Sequence, residues 1–465
     1  MKAGRVVVVG AGVAGLTTAY RLLASDPASD VIVLEAADAA GGKLASVPVA
    51  DLSLEAGPDS FVARKPWAVD LCRELGLALV EPGARGAFVW TDAGLEPLPE
   101  TALGIPAEID DFGRWPAMSK RGRARALTDL VKKPSRGEEE ESVGALVRRR
   151  LGDEAADVLV QPLLGGLFAG DIDRLGVRAT FPELATWERA HGSLIRGAKA
   201  AIAAARSAGP LFLTPAEGVS ALPRALVERL GPQRIRTGAT ARSIAEDGAG
   251  FVVSTEDGGA EFPADAVVLA TPAFVAASVL ERSVPAAAAA LAEIGYVSTA
   301  VVLLVYAPGT GETLPEATGF VVPSGKAPMT AATFLSRKWP SAAFGDRAVL
   351  RCFVGGAGAE DLLEAPDADI VEAVARHLAA VLELPPASEA SAVVRWPRAM
   401  PQYEVGHLER VAAIEASLPP GIFVVGNAYR GVGVADTVRD ANEVAGRVRA
   451  HLVGDERSSE REHLS

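Results

Sequence analysis

The sequence predicts a mixed α/β fold in which an open, doubly wound sheet shares the chain with a second, mixed sheet and a helical insertion. Three observations carry this. Val6, Val7, Val8 and Val9 run straight into a glycine-rich turn and then a helical repeat of apolar residues. Short apolar runs, separated by turn residues and helical stretches, recur between Ile235 and Val425. From about Leu98 to Phe181 the text changes to helical patterning with charge runs. The 465 residues are 49% hydrophobic and 23% charged, a core-forming composition and not that of a disordered or collagen-like polymer. At ~150 residues per domain the length suggests about three units.

Taken in order, Arg5 to Val9 suits a buried strand of a parallel sheet covered on both faces. Val13, Leu16, Thr17, Tyr20 and Leu23 fall at helical spacing, and after Asp26-Pro27 a second strand runs from Val31 to Leu34, ending at Glu35. The opening is β-α-β. A Lys-, Arg- and Gly-rich loop from Ser119 to Gly137 precedes helical patterning through Val158. The runs Glu138 to Glu141 and Arg148 to Arg150 are expected as solvated helix faces. Gly192 to Ala208, rich in Ala, is expected to be a helix packed closely on a neighbour. Gly238 to Ile244 and Gly250 to Ser254, joined at Asp247-Gly248, read as a hairpin; Asp257-Gly258 then turns the chain toward a buried strand at Ala266 to Ala270. More strands are expected at Ser298 to Tyr306, Gly319 to Pro323 and Val349 to Val354, and a helix at Asp367 to Leu382. Ile422 to Val425 reads as a last buried strand, followed by a helix from about Thr437 to Leu452 and a polar tail beyond Gly454 expected to fray.

Lys plus Arg number 46 against 59 Asp plus Glu, a net charge of −13, which argues against broad binding to nucleic acid or anionic lipid. An anionic small molecule would need a local basic pocket. Cys72 and Cys352 cannot build a disulfide framework and match no zinc-ligand spacing, so a reducing cytoplasm fits best. Lys2 and Arg5 ahead of the valines imitate an export signal, but Gly10, Gly12 and Gly15 interrupt the apolar stretch too early. Apolar segments such as Val301 to Tyr306 stay below the ~18 residues of a spanning helix, leaving peripheral membrane contact at most.

Gly10-Ala11-Gly12-Val13-Ala14-Gly15 sits between a buried strand and an amphipathic helix, where a dinucleotide-binding turn belongs. The glycines permit the tight turn and let backbone N–H groups approach a pyrophosphate at the helix start. Glu35 follows at the spacing expected of an acid that bonds a ribose hydroxyl. This cradle serves nicotinamide and flavin dinucleotides alike. Gly41-Gly42-Lys43 places flexible backbone and a cation beyond the second strand, where they can meet a diphosphate again. The Glu55-Ala56-Gly57-Pro58-Asp59-Ser60 turn can approach a flat ring, and Val425-Gly426-Asn427-Ala428-Tyr429-Arg430-Gly431-Val432-Gly433-Val434 joins a buried strand to a helix.

In this order the motifs resemble the amine-oxidase-like flavoprotein superfamily, in which both ends of the chain bind FAD. Gly57-Pro58-Asp59-Ser60-Phe61 with Arg64-Lys65-Pro66, Gln161-Pro162-Leu163-Leu164-Gly165-Gly166-Leu167-Phe168-Ala169-Gly170-Asp171, and Gly426-Asn427-Ala428-Tyr429 are similar to porphyrinogen oxidases over essentially the whole length. Arg337-Lys338-Trp339-Pro340, Arg351-Cys352-Phe353-Val354-Gly355, Arg395-Trp396 and Met400-Pro401-Gln402-Tyr403 resemble the bacterial coproporphyrinogen III oxidases of the coproporphyrin-dependent haem pathway. Asn427 departs from the wider superfamily, which often carries an acid there. No cysteine lies near that motif, so the resemblance implies non-covalent FAD.

The resemblance implies a Rossmann-like FAD domain from residues 1–66, 216–275 and 412–465. It implies a substrate domain from 67–97, 186–215 and 276–411, and a helical domain at 98–185. Gly10, Gly12, Val13, Ala14 and Gly15 would face the diphosphate, supported by Gly42 and Lys43, with Glu35 at the ribose and the Ala241 backbone at the adenine. Gly57, Pro58, Asp59 and Ser60 would lie near the flavin, and Val432, Gly433 and Val434 at the pyrimidine end of its ring, where helix N–H groups favour negative charge. Trp396 either flanks the flavin or fills core. Gly166, in the Gly165-Gly166 pair, could lie flat on a macrocycle. Arg64, Lys65, Arg337 and Lys338 are the candidate partners of substrate propionates, Lys65 foremost. The histidines fall outside the flavin motifs, so no catalytic base is assigned.

The implied reaction is oxidation of coproporphyrinogen III to coproporphyrin III in three two-electron steps, with O2 as acceptor and H2O2 released. Protoporphyrinogen IX is the alternative substrate. An amine-oxidase-like enzyme and a non-redox binding protein of the same fold are more distant ones. The pathway motivates transient contact with a ferrochelatase.

Overall fold

The computed structural model describes residues 4–462, apart from 136, 138, 206–208, 249, 257–258 and 340; the side chains beyond Gly454 are also left undescribed. The expected Asp257-Gly258 turn, Glu138, Pro340, Lys2 and His463 lie outside the described residues.

The valine run has two destinations because side chains alternate across a strand. Val6 and Val8 point to one face of a five-stranded parallel sheet and join a core with Leu16, Ala19, Val438 and Val444 from the helices Val13–Ser25 and Val434–Glu462. Val7 and Val9 point to the other face and pack with Ala276 and Leu280 of the helix Ala273–Leu280, and with Ile244 and Val253 of an antiparallel sheet. Each valine so buried is worth ~1.5–3 kcal/mol, which explains why both faces had to be covered. The parallel strand order is Ile235–Arg236, Asp30–Leu34, Arg5–Val9, Ala266–Leu269, Ile422–Val424. The strand ends that carry the glycine turns thus come from residues more than 400 apart in sequence and lie in one parallel sheet with a single strand, Ala266–Leu269, between them.

A seven-stranded mixed sheet runs Ala390–Pro401, Tyr296–Val305, Val349–Gly355, Ala331–Phe334, Gly319–Val321, Phe88–Thr91, Gly94–Pro97. Helix Asp367–Leu382 covers one face through Ile370, Val374 and Leu378. Val49, Leu52 and Leu54 of the hairpin Ser46–Val49 and Leu52–Glu55 meet Val301, Leu303 and Val305 on the other. A third core, mostly helical, includes Phe112, Leu146, Leu159, Phe168 and Leu194. Within it Ala156–Gly165 is a π-helix containing Pro162, a wide winding often found at functional sites.

Two expectations are corrected. Arg148 to Arg150 is not a solvated face: Arg150 is 1% exposed. A buried guanidinium must be paired and hydrogen-bonded, and Arg150 is held by Asp129 and Glu188 and donates to the Gly192 carbonyl at 2.7 Å. Asp129 in turn accepts from Ser193 Oγ at 2.6 Å. The last helix is longer than expected at both ends, running from Val434 to Glu462 rather than from about Thr437 to Leu452.

Candidate active site

Each glycine of the first turn answers a different steric demand. Gly10 has φ +106°, donates to the Leu34 carbonyl at 2.7 Å, and would place a Cβ 2.7 Å from the Ala270 carbonyl. At Gly15 a Cβ would fall 2.0 Å from the Gly10 carbonyl, so helix and strand meet only without a side chain. Gly12 faces open space and starts the helix with no side-chain cap and no acid in its first turn. The helix start therefore keeps N–H groups for an external anion. Gly41 donates to the Ala11 carbonyl at 2.9 Å, and Gly42 sits where a Cβ would be 3.2 Å from Gly12 Cα. Glu35 accepts from the Ala11 and Ala37 N–H groups at 2.7 and 2.9 Å. These bonds fix the carboxylate at the turn while leaving lone pairs for a hydroxyl. Ala239 donates to the Glu35 carbonyl at 2.8 Å, setting Ala241 two residues away, at the start of its strand.

Burial lowers the Lys43 ammonium to about 8, with no protein carboxylate opposing the shift. A poorly solvated cation without an anion among the described residues, close in sequence to Gly41 and Gly42, which meet the uncapped helix start at open Gly12, fits a bound diphosphate in charge and shape. Gly57 closes on the same segment: a Cβ there would lie 1.9 Å from the Lys43 carbonyl.

The Gly57–Ser60 turn is fastened to the seven-stranded sheet by a buried charge cluster. Asp59 accepts two 3.0 Å bonds from Lys338, one of 2.9 Å from Trp339 Nε1 and one of 3.0 Å from Ser60 Oγ, and lies 3.2 Å from Arg351. Burial opposes ionisation of Asp59, but Arg351 and Lys338 outweigh it and hold its carboxyl well below the usual range. Arg351 also donates to the Gly57 carbonyl at 2.8 Å, and Trp396 Nε1 to the Ala56 carbonyl at 2.8 Å. Trp396 packs with the Val49 and Leu303 core as well.

Three of the four expected propionate partners are engaged within the protein. Lys338 is consumed by Asp59, since a buried ammonium needs an anion. Arg337 donates to the Gly311 and Leu314 carbonyls and pairs with Glu316 at 2.8 Å. Lys65 pairs with Asp436 at 2.6 Å while its side chain stays 44% exposed. Arg64 is exposed and has no partner among the described residues. Gly166 is exposed with open space at its Cβ position, whereas Gly165 is closed by Gln161 and the Gly170 carbonyl.

The C-terminal motif meets the N-terminal one directly. Gly426, at φ +126°, would bring a Cβ to 3.6 Å from the Ala14 Cβ, and its N–H donates to Asp440 at 3.0 Å. Gly433 accepts from the Thr437 N–H at 2.9 Å as the last helix begins. Val432 packs on the helical core and Val434 in the core beneath Ala14. Sequence reasoning assigned no role to Tyr403 and His407, which hold this loop. The Tyr403 hydroxyl donates to the Asn427 carbonyl and accepts from Gly431 N–H, both at 2.8 Å. His407 stacks on Tyr403 with centroids 3.8 Å apart and donates through Nε2 to the Tyr429 carbonyl at 3.0 Å. Burial lowers His407 to about 4, so its ring is neutral at pH 7. The sequence signal was that Tyr403 closes the Met400-Pro401-Gln402-Tyr403 stretch and His407 follows it closely.

Among the described residues no group of His, Cys, Asp and Glu could hold a metal ion, and no helix is long and apolar enough to cross a membrane. A dinucleotide cradle assembled from both ends of the chain, with a mixed sheet fastened to the turn beside it, is the frame of a dinucleotide-dependent oxidoreductase. The chain belongs to the flavin-containing amine oxidoreductase family, which it matches over residues 13–449. It is 33% identical over 451 residues to a coproporphyrinogen III oxidase of Bacillus subtilis, covering 93% of this chain and 95% of that one. It is 34% identical over 445 residues to the coproporphyrinogen III oxidase of Mycobacterium bovis, covering 92% and 93%. A crystal structure from Exiguobacterium sp. 255-15, provisionally assigned as a protoporphyrinogen oxidase, superposes with a TM-score of 0.85 at 30% identity, covering 97% of this chain and 99% of that one.

Proposed function

We propose that this protein is a cytoplasmic, FAD-dependent coproporphyrinogen III oxidase that removes six hydrogens from its substrate and passes them to three O2, giving coproporphyrin III and three H2O2. The observation that carries the reading is a nearly full-length likeness to relatives of that name, joined to a cradle in which every required glycine is present. When bound, FAD supplies the electron-pair sink for hydride removal from a meso carbon.

The chain's own residues bind and orient. Gly10, Gly12, Val13, Ala14 and Gly15 present backbone N–H groups to the diphosphate, with Gly42 and Lys43 opposite and Glu35 at the ribose. Ala241 contributes backbone at the adenine. Gly57, Pro58, Asp59, Ser60 and Trp396 border the flavin ring, and Val432, Gly433 and Val434 bring a helix start to its pyrimidine end. Cys72 and Cys352 are both buried, and burial raises both thiols, Cys72 to about 12; neither is suited to a covalent flavin bond, and binding is non-covalent. Gly166 gives the macrocycle a side-chain-free surface. Arg64 and Lys65 are placed for propionates, Lys65 also orienting Asp436 at the start of the last helix. No residue is assigned as catalytic base. Hand-over of product to a ferrochelatase follows from the pathway this reading implies.

Protoporphyrinogen IX is the second reading, favoured by the Exiguobacterium structure. Purified, FAD-loaded protein in air, given coproporphyrinogen III, is expected to develop porphyrin fluorescence and three H2O2 per porphyrin. Oxidation no faster than a no-enzyme control, with flavin intact, overturns the reading.

A further inference from the structure

Arg398 is a cation with an unusual backbone and no carboxylate. It has φ +45°, a left-handed conformation that non-glycine residues seldom adopt, in the edge strand Ala390–Pro401. Thr299 pairs with Trp396 and Val297 with Met400, so Ser298 alone opposes Pro397, Arg398 and Ala399. Such a bulge re-aims a side chain. The Arg398 N–H donates to Ser298 Oγ at 3.2 Å, its guanidinium lies 3.6 Å above the Phe274 ring, and the residue is exposed. Among the described residues it makes no ion pair. Glu360, the carboxylate on the same stretch, accepts from the Ser298 N–H at 2.6 Å and is not a partner of Arg398.

The surroundings connect this cation to both halves of the candidate site. Trp396, two residues away, is bonded to Ala56 beside the Gly57–Ser60 turn. Phe274 follows the strand end at Ala270 that closes on Gly10. On the other side, the Ser298 carbonyl accepts from Gly356 N–H at 2.9 Å, and Ala357 donates to the Ala169 carbonyl at 2.8 Å. Ala169 ends the turn that carries open Gly166 and Leu167, the latter 56% exposed. A guanidinium stacked by one face on an aromatic ring keeps its N–H edge for a planar anion.

We propose that Arg398 binds a propionate of the porphyrinogen at the mouth of the site, which makes it a specificity-determining residue for a polycarboxylate macrocycle. This rests on the reading given under Proposed function. The strained backbone and the missing carboxylate then have one explanation: the bulge holds the guanidinium where a substrate carboxylate completes it.

The test uses FAD-loaded wild type, Arg398→Gln, Arg398→Lys and Arg398→Gly. Coproporphyrin III affinity is read by fluorescence titration, and KM and kcat with coproporphyrinogen III. Glycine suits φ +45° better than arginine, so a defect in that variant is not one of folding. Gln and Gly are expected to raise both Kd and KM about tenfold, with kcat and flavin content within about twofold and Lys intermediate. Added salt is expected to weaken wild type more than Arg398→Gln. Values for Gln and Gly within about twofold of an active wild type overturn the proposal. A wild type that neither binds coproporphyrin III nor oxidises its porphyrinogen overturns the functional reading beneath it, and the proposal with it.

Discussion

Lys43 and Asp59 are both poorly solvated charges, and their surroundings treat them in opposite ways. Asp59 is matched twice over, by Lys338 and Arg351; Lys43 is matched by no carboxylate among the described residues and loses basicity to burial. Removing one member of a buried cluster leaves the others uncompensated, so Asp59→Asn is expected to cost ~3–5 kcal/mol in urea unfolding. Lys65→Ala, at a half-exposed pair, is expected to cost less than ~1 kcal/mol. At Lys43 the consequence falls on the ligand. Its ammonium titrates near 8 in the free protein, and a bound diphosphate would hold it protonated, so binding would take up a proton above that pH. FAD affinity is therefore expected to fall as pH rises through about 8. In Lys43→Met it is expected to be weaker by roughly tenfold at neutral pH and flat through this range. Fluorescence titration of apoprotein with FAD at a series of pH values checks both statements.

At the scale of elements, the decisive contacts are backbone against backbone. Gly57→Ala would drive a methyl to 1.9 Å from the Lys43 carbonyl, and neither segment has a flexible side-chain end to yield. Purified Gly57→Ala is expected to lose most of its flavin, read as absorbance per mole of protein, while circular dichroism keeps the mixed α/β signature. Full flavin occupancy would show that the turn has room to move.

The same scale explains what was legible in the sequence. The strands Arg5–Val9 and Ala266–Leu269 and the helix Asp367–Leu382 announce themselves by continuous apolar runs or a clean helical period. The strand Ala390–Pro401 does not, because it carries two arginines and two prolines; an edge position with a bulge tolerates them. Glycine positions in the cradle could be read because a strand, a turn and a helix fix the need for them locally. Partners of charged side chains could not, since Lys338 meets Asp59 across 279 residues and Arg150 meets Asp129 in a core no local pattern encodes. Tyr403 and His407 escaped for the same reason: their roles exist only once the C-terminal loop is folded over them.

For the molecule as a whole, the site is a meeting of distant parts. The first and last helices pack together and bring Gly426 against Ala14, the mixed sheet fastens the Gly57–Ser60 turn, and the helical core reaches in through Val432. An acidic protein that keeps Lys43, Arg64 and Arg398 without an ion pair among the described residues around the candidate site offers anions local partners while repelling them at long range. Four propionates suit that distribution better than two, which makes substrate choice the central claim. The most direct measurement is anaerobic rapid mixing of the FAD-loaded protein with coproporphyrinogen III or protoporphyrinogen IX, following flavin absorbance. Faster and complete bleaching by coproporphyrinogen III at equal concentration is the expected result; equal or faster bleaching by protoporphyrinogen IX, or none by either, would contradict it.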